Sequence, residues 1–195
     1  MKTRVMMIAV LVTLIMGTSA AQDIQKRFGF ELSGGASLAT TEPGGTELNP
    51  GYGFEGILHC RILKYTGIYG GWGWNRFGAD ESFAGSNISF EETGYIIGVQ
   101  HKQPVGKSPL SVYLRAGLLY NHIEIENKEG DITHDTGHGP GFQLAAGIDY
   151  PLGKNWSITP GIKFNSLSNE TIREGDTTEI DHSYLSLRIG ILKRF

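Results

Sequence analysis

The chain has very little cysteine. Cys60 is the single one among its 195 residues, which excludes an internal disulfide framework. Beyond residue 22 the chain also lacks any apolar run of the roughly 20 residues that a membrane-spanning helix needs. It contains no linker-like stretch, long charge block or low-complexity tract. These absences favour a single domain, and if the chain enters a bilayer it must do so as a closed sheet.

An excess of positive charge is also absent. The whole chain carries a formal net charge of −3, and from residue 22 onward 15 basic residues face 20 acidic ones. Nucleic-acid-binding proteins usually present a basic face to the phosphate backbone. We therefore expect no nucleic-acid partner.

The N-terminal residues have the pattern of an export signal. Two basic residues precede an apolar run, Val5–Met16, and small residues follow at Gly17–Ala21. This order of charged, apolar and small residues is typical of a cleaved signal peptide, with an uncleaved membrane anchor as the alternative. We predict a signal peptide over residues 1–21 and one domain over residues 22–195.

Glycine and aromatic residues are abundant, with 28 Gly, 9 Phe, 8 Tyr and 3 Trp. This composition suggests strands that bend and pack closely. Apolar and polar residues alternate with a period of two, as expected for strands, in about eight runs of roughly ten residues. The runs lie at residues 27–40, 51–62, 68–77, 89–102, 110–126, 141–150, 156–166 and 183–195.

The connections between these runs alternate in length. Long polar loops are predicted around Pro43 and at residues 78–87, 126–138 and 169–180, and short turns lie between them. An even number of short strands with alternating long and short connections is typical of the smallest membrane barrels. We predict an all-β, eight-stranded antiparallel up-and-down transmembrane β-barrel whose long loops lie outside the cell.

The charged residues of the runs share the face opposite the apolar one. In a membrane barrel the apolar face points to lipid and the polar face lines the lumen, where opposite charges could pair. The alternative is a soluble barrel with these charges in solvent. The predicted structural lumen charge network consists of Glu31, Glu55, Arg61, Glu92, Arg115, Asp149, Lys163 and Arg188.

The chain ends in SYLSLRIGILKRF, in which Leu187, Ile189, Ile191 and the terminal Phe195 alternate with smaller or polar residues. This ending resembles the C-terminal assembly signal of outer-membrane β-barrel proteins. With the eight runs, residues 22–195 resemble small outer-membrane barrels of the OmpA-transmembrane-domain and OmpX kind. The resemblance implies a monomer in the outer membrane of a Gram-negative cell. It also implies contact with outer-membrane lipid and lipopolysaccharide, and insertion by the barrel assembly machinery through the C-terminal strand.

Candidate metal ligands occur in two loops. Asp131, His134, Asp135 and His138 are close in sequence, but nothing fixes a tetrahedral geometry for them. The acids Glu170, Glu174, Asp176, Glu179 and Asp181 lack the spacing of a calcium-binding loop. Both groups are interpreted as solvated loop residues, the second also as a bridge through divalent ions to lipopolysaccharide. We expect no metal and no cofactor.

Some eight-stranded barrels modify lipids, so the histidines of this chain are candidate catalytic residues. The His-x-Ser pair of lipid A deacylases is absent, and His182 and Ser183 are adjacent, so their side chains should point to opposite faces. Glu55 and His59 could form a dyad, but no serine joins them. His122 and His134 lie near the outer loops without a compelling arrangement. We therefore expect that this protein is not an enzyme.

The function expected is structural, or surface interaction through the extracellular loops, without a wide pore, since a barrel of this size leaves no wide channel. One alternative is a lipid-modifying enzyme acting on lipid A acyl chains with the same fold. The other is a soluble secreted β-barrel that binds an apolar ligand.

Overall fold

A computed structural model describes residues 26–173 and 176–195, apart from the side chains of residues 170–179. The predicted signal peptide lies outside the described residues. No helix in the described part of the chain is long and apolar enough to cross a membrane. The strands are β1 (Phe28–Ala39), β2 (Gly51–Arg61), β3 (Thr66–Ser82), β4 (Gly85–Pro104), β5 (Ser111–Glu126), β6 (Ile132–Asp135), β7 (Gly139–Gly153), β8 (Trp156–Ile158), β9 (Gly161–Arg173) and β10 (Asp176–Arg194), with a short 3-10 helix at Pro43–Gly45.

The strands form a closed antiparallel ring. Each pairs with the next along the chain from β1 to β5, β5 pairs with β7, and β10 pairs with both β9 and β1. The seam between the first and last strands runs from Gly29↔Arg194 to Ala39↔Tyr184. The predicted antiparallel up-and-down β-barrel is therefore confirmed. Closing the ring removes the unpaired edges that an open sheet would expose.

The seventh predicted run is divided into β8 and β9, which share one place in the ring between β7 and β10. The break falls at Thr159 and Pro160. Proline has no N–H to donate to a neighbouring strand. The wall remains closed there, because the Pro160 carbonyl accepts a hydrogen bond from Ile148 and Thr159 exchanges two with Gly190.

Each strand of the ring presents alternate side chains to the outside and to the lumen. On the outside, Ile97, Leu118 and Leu187 are exposed by 66%, 68% and 66%. In the lumen, Glu55 and Arg115 are exposed by only 5% and 7%. This is the predicted orientation, with the apolar face outward and the charged face enclosed. We call the outward apolar surface the lipid belt.

Above the lipid belt the pattern inverts. We call the end of the barrel with Phe28 and Phe195 the inner end, and the opposite end the outer end. On β5 the outward residues are apolar as far as Tyr120, and Glu124 and Glu126 follow on the same face at the outer end. At that level Ile123 points into the barrel and is fully buried. The outer end is therefore built like a soluble barrel, with an apolar interior and a polar exterior.

Eight inward-facing residues form the core of the outer end, here called the upper cluster. All are at most 4% exposed, and Leu48, Phe83 and Ala84 from the outer connections pack against them. Full burial of an Ile or Phe side chain stabilises a fold by roughly 1.5–3 kcal/mol. The members are Phe77, Ala79, Ile88, Phe90, Ile123, Ile125, Ile180 and Tyr184.

Two of the predicted outer loops are largely strand. All of residues 78–87 except Phe83 and Ala84 belong to β3 and β4, and β9 and β10 extend into residues 169–180 from either side. These loop predictions were wrong because they took polar composition as a loop signal. A strand above the lipid belt also looks polar on its outward face, while its inward face, as in β3 and β4, carries the upper cluster.

Candidate functional site

A buried ion pair crosses the lumen near the inner end. Arg115 on β5 reaches Glu31 on β1, with Nη2 2.5 Å from Oε2 and Nη1 3.2 Å from Oε1. The His59 ring lies 3.2 Å from the same carboxylate, and Gln100 accepts a hydrogen bond of 2.8 Å from Arg115 Nε. Two parallel bonds between guanidinium and carboxylate give both strength and a defined geometry. Two predicted lumen residues thus meet, with partners that the sequence analysis did not assign.

A second ion pair joins other walls of the lumen. Lys163 on β9 lies 2.8 Å from Glu55 on β2, and Gln143 on β7 donates a hydrogen bond of 2.9 Å to the same oxygen. The Glu55–His59 dyad considered from the sequence is not formed, because His59 turns to Glu31 instead. Opposing strands bring these charges together, so spacing along one strand could not identify the partner.

Asp149 forms ion pairs with two basic side chains at the inner end of the barrel. Its Oδ2 lies 2.9 Å from Lys102 Nζ and also accepts a hydrogen bond from Arg194. Arg61, another predicted lumen residue, is at this end and is partly exposed. It lines a cavity together with Lys102 and Arg194.

Glu92 and Arg188, also predicted in the lumen, have amide partners. Asn121 donates a hydrogen bond of 2.5 Å to Glu92, and Arg188 donates one to Asn75. Both charged side chains are at most 8% exposed. Hydrogen bonds to charged groups are stronger than those between neutral groups, so they offset part of the cost of burial.

Two buried asparagines below the upper cluster, Asn75 and Asn165, were not predicted from the sequence. The Tyr184 hydroxyl accepts hydrogen bonds from Asn75 at 2.8 Å and from Asn165 at 2.7 Å. Tyr184 shares its face of β10 with Ser186 and Arg188. The period of two could have placed it inside, because Tyr184 alternates along β10 with the outward Leu185 and Leu187.

The polar part of the lumen is tightly packed. The cavity among the ion-paired residues has a volume of about 10 Å³, which is room for roughly one water molecule. The upper cluster fills the barrel above it. The described interior does not have the geometry of a wide channel.

The first candidate metal loop does not assemble a site. The His138 ring lies 4.4 Å from the ring of His122, Asp135 accepts a hydrogen bond from the Gly137 N–H, and His134 packs on Phe83. No group of three or more His, Cys, Asp or Glu side chains in the described residues could hold a metal ion. Of the second set, the side chains of Glu170, Glu174, Asp176 and Glu179 lie outside the described residues.

The serines and histidines considered for catalysis are apart. His182 is buried in the lumen, whereas the Ser183 hydroxyl donates to Ser166 at 2.9 Å. His122 contacts His138 and lies 3.5 Å from Glu124. Among the described residues, neither His122 nor His182 forms a hydrogen bond with a serine hydroxyl, so the nucleophile–base pair that acyl transfer requires is not formed there.

The outer rim carries a charged cluster above the lipid belt. Arg76 lies 2.6 Å from Glu91 and 3.6 Å from Glu126, and Trp74 donates a hydrogen bond of 2.8 Å to Glu91. Burial and then the neighbouring charge of Glu91 raise the pKa of Glu126, although Arg76 opposes the shift. The rim thus places the carboxylates of Glu91 and Glu126 close together, and this disfavours the ionised form of Glu126.

The C-terminal residues singled out in the sequence all point outward. Leu187, Ile189, Ile191 and Phe195 are exposed by 54–66%. The Phe195 backbone exchanges two hydrogen bonds with Phe28, so the last residue closes the seam with the first strand.

The comparisons with known proteins agree with this geometry. A family model described as outer membrane protein beta-barrel domain matches residues 8–190. Similar folds are found in Neisserial surface protein A (TM-score 0.65, 14% identity, covering 86% of this chain and 97% of that chain) and in OprG from Pseudomonas aeruginosa (0.59, 13%, 87% and 97%). Outer Membrane Protein W from E. coli is a third (0.52, 15%, 88% and 100%). No curated protein sequence matches the chain.

Proposed function

We propose that this chain, which belongs to the outer membrane protein beta-barrel domain family, acts in the outer membrane through its outer end and not as a wide pore. The observation that carries this proposal is that the outward surface of the barrel wall is apolar, whereas the inward surface is polar and closely packed. The lipid belt exposes large apolar side chains, and the lumen behind it is packed with ion pairs and the upper cluster. Such a barrel is stable in hydrocarbon and closed to bulk solute.

The outer end is suited to contact with other molecules. Its strands extend beyond the lipid belt, and its connections are acidic, with Glu42 and Glu47 before β2 and Glu129 and Asp131 after β5. Carboxylates at this level can share divalent ions with anionic lipopolysaccharide. The Neisserial neighbour is named a surface protein, a setting that the proposal also gives to this chain.

The proposal includes the maturation of the chain. Residues 1–21 act as a cleaved signal peptide and residues 22–195 form the mature barrel. The outward C-terminal set ending at Phe195 is read by the barrel assembly machinery, and the inserted protein is a monomer surrounded by outer-membrane lipid.

We propose no catalytic activity, because the described histidines considered for catalysis do not meet a serine. Incubating the purified barrel with lipopolysaccharide, and measuring released or added acyl chains by mass spectrometry, tests this. Acyl transfer above a boiled control would replace the proposal with the enzymatic alternative.

The central test combines location and topology. In fractionated cells we expect the protein with the outer membrane, and in detergent we expect it to migrate differently on gels before and after boiling. Protease added to intact cells should cut the connection between β5 and β7 but not the turn between β4 and β5. Recovery in the aqueous periplasmic fraction would favour the soluble ligand-binding barrel.

The closed lumen is tested separately. In planar bilayers the wild-type protein should give no conductance like that of a wide porin. A large, stable conductance would contradict the packed interior while leaving the outer-membrane location intact.

A further inference from the structure

The inner end of the barrel contains a cavity of about 300 Å³, here called the inner-mouth cavity. The start of β1, the turn between β2 and β3, and the ends of β4 and β10 line it. None of the described residues that line it is Asp or Glu. Its basic side chains are Lys26, Arg27, Arg61, Lys64, Lys102 and Arg194.

Among the residues that the structure describes, the carboxylates that contact the side chains of this cavity are fewer than its cations. Asp149 binds both Lys102 and Arg194, so one negative charge serves two positive ones. Glu31 lies deeper and is occupied by Arg115 and His59. The described side chains around the cavity therefore carry more positive than negative charge, and an excess of positive charge attracts anions.

The charge of this end contrasts with that of the outer end. The three inner connections, residues 62–65, 105–110 and 154–155, each contain one lysine and no acidic residue. The outer connection before β2 contains two glutamates and no basic residue. Basic residues are therefore concentrated at the inner end, while this outer connection is acidic.

The wall of the inner-mouth cavity is amphipathic. His59 faces the lumen, and its buried Nδ1 has no hydrogen-bond partner among the described residues. Phe28 and Ile68 belong to the lipid belt and are exposed by 53% and 45%. The cavity thus joins cationic side chains to the edge of the hydrocarbon-facing surface.

We propose that the inner-mouth cavity binds a phosphate-bearing anion, either the headgroup of an anionic phospholipid or free phosphate. Arginine side chains present planar forks of N–H donors that match phosphate oxygens, and lysines add point charges. With the short turns in the periplasm, the cavity lies at the headgroup level of the inner leaflet. Anionic headgroups are attracted to basic residues at this depth.

The binding is tested first with the wild-type protein. Inorganic phosphate is titrated into the ¹⁵N-labelled barrel in a neutral detergent, and amide resonances are followed. We expect saturable shifts at residues 61–67 and none at the outer connection, residues 127–131. In nanodiscs containing phosphatidylcholine and phosphatidylglycerol, native mass spectrometry should retain phosphatidylglycerol selectively.

A pair of matched variants separates the cavity from its general charge. The cavity variant carries Arg27→Gln, Arg61→Gln and Lys64→Gln. The control carries Lys107→Gln, Lys154→Gln and Lys193→Gln, which removes the same charge from the same end but outside the cavity. We expect the cavity variant to bind its anion about tenfold more weakly, a change of about 1.4 kcal/mol, and the control to change less than twofold.

The two probes distinguish the source of the anion. Retention of phosphatidylglycerol without phosphate shifts identifies a lipid headgroup, and saturable phosphate shifts without lipid retention identify free phosphate. Absence of both, or equal losses in the two variants, overturns the proposal. The boiling-dependent gel migration of each variant reports folding independently, and the outer-end function does not depend on either result.

Discussion

Lys163 and Glu55 face each other across the barrel lumen, 2.8 Å apart, with side chains exposed by only 5% and 6%. β9 and β2, which carry them, are not neighbours in the ring. A buried ion pair of this kind depends on both partners, because either charge alone is costly to keep out of water.

Lys163→Met should leave the Glu55 charge buried without its ion-pair partner, and Gln143 then remains as its hydrogen-bond donor among the described residues. We expect the free energy of unfolding to fall by about 3–5 kcal/mol, measured by urea unfolding in phospholipid vesicles. The double variant Lys163→Met/Glu55→Gln should recover most of the loss, since no charge remains. If the single variant costs no more than Lys154→Met in the exposed inner turn, the pair does not stabilise the lumen.

Gly35→Ala should disturb the seam between β1 and β10. A Cβ atom at Gly35 would lie 1.8 Å from the Leu187 carbonyl oxygen, whereas at Gly34 the nearest atom is 3.4 Å away. Overpacking of this kind costs roughly 1–3 kcal/mol. Gly34→Ala is the matched control and should fold like the wild type. Equal yields of the boiling-sensitive gel form for the two variants would mean that the seam accommodates the methyl group.

Leu118→Arg tests the lipid belt directly. An arginine on the lipid belt at Leu118 should lower the free energy of unfolding by up to about 2–4 kcal/mol, the range for an arginine at the bilayer midplane. Leu152→Arg, at another exposed leucine near the inner end, should cost about 0–1 kcal/mol, since the penalty falls toward the interface. Unfolding in vesicles provides both values. Equal tolerance of the two substitutions would indicate that Leu118 faces water.

Glu126→Gln tests the outer rim. The pKa of Glu126 is raised above its usual value of 4.5, so the protonated form stabilises the fold below about pH 4.5. This stabilisation is lost as the pH rises through the raised pKa. We expect the Gln variant to be more stable than the wild type at pH 7, with the difference vanishing near pH 3.5. A variant less stable at pH 7 would show that the ion pair with Arg76 outweighs burial and the charge of Glu91.

The class of fold and the faces of most strands could be predicted from the sequence. Alternation at residues such as Leu185, Leu187 and Ile189 is a local property, because successive side chains of a strand point to opposite faces whatever the strand pairs with. The same rule brought Glu31, Glu55 and Arg115 to one surface. The outer strand extensions were missed because their alternation inverts above the lipid belt, where water replaces hydrocarbon outside.

The amino-acid pattern alone was enough to predict which side chains share a face and that charge lies opposite the apolar surface. The contacts of Glu31 with Arg115 and of Glu55 with Lys163 rather than His59 became visible in the folded barrel, as did the six cations around the inner-mouth cavity. This is because the face of a side chain depends on neighbouring residues of one strand. Contacts across a lumen depend instead on the register and stagger of the whole closed ring, which no single segment encodes.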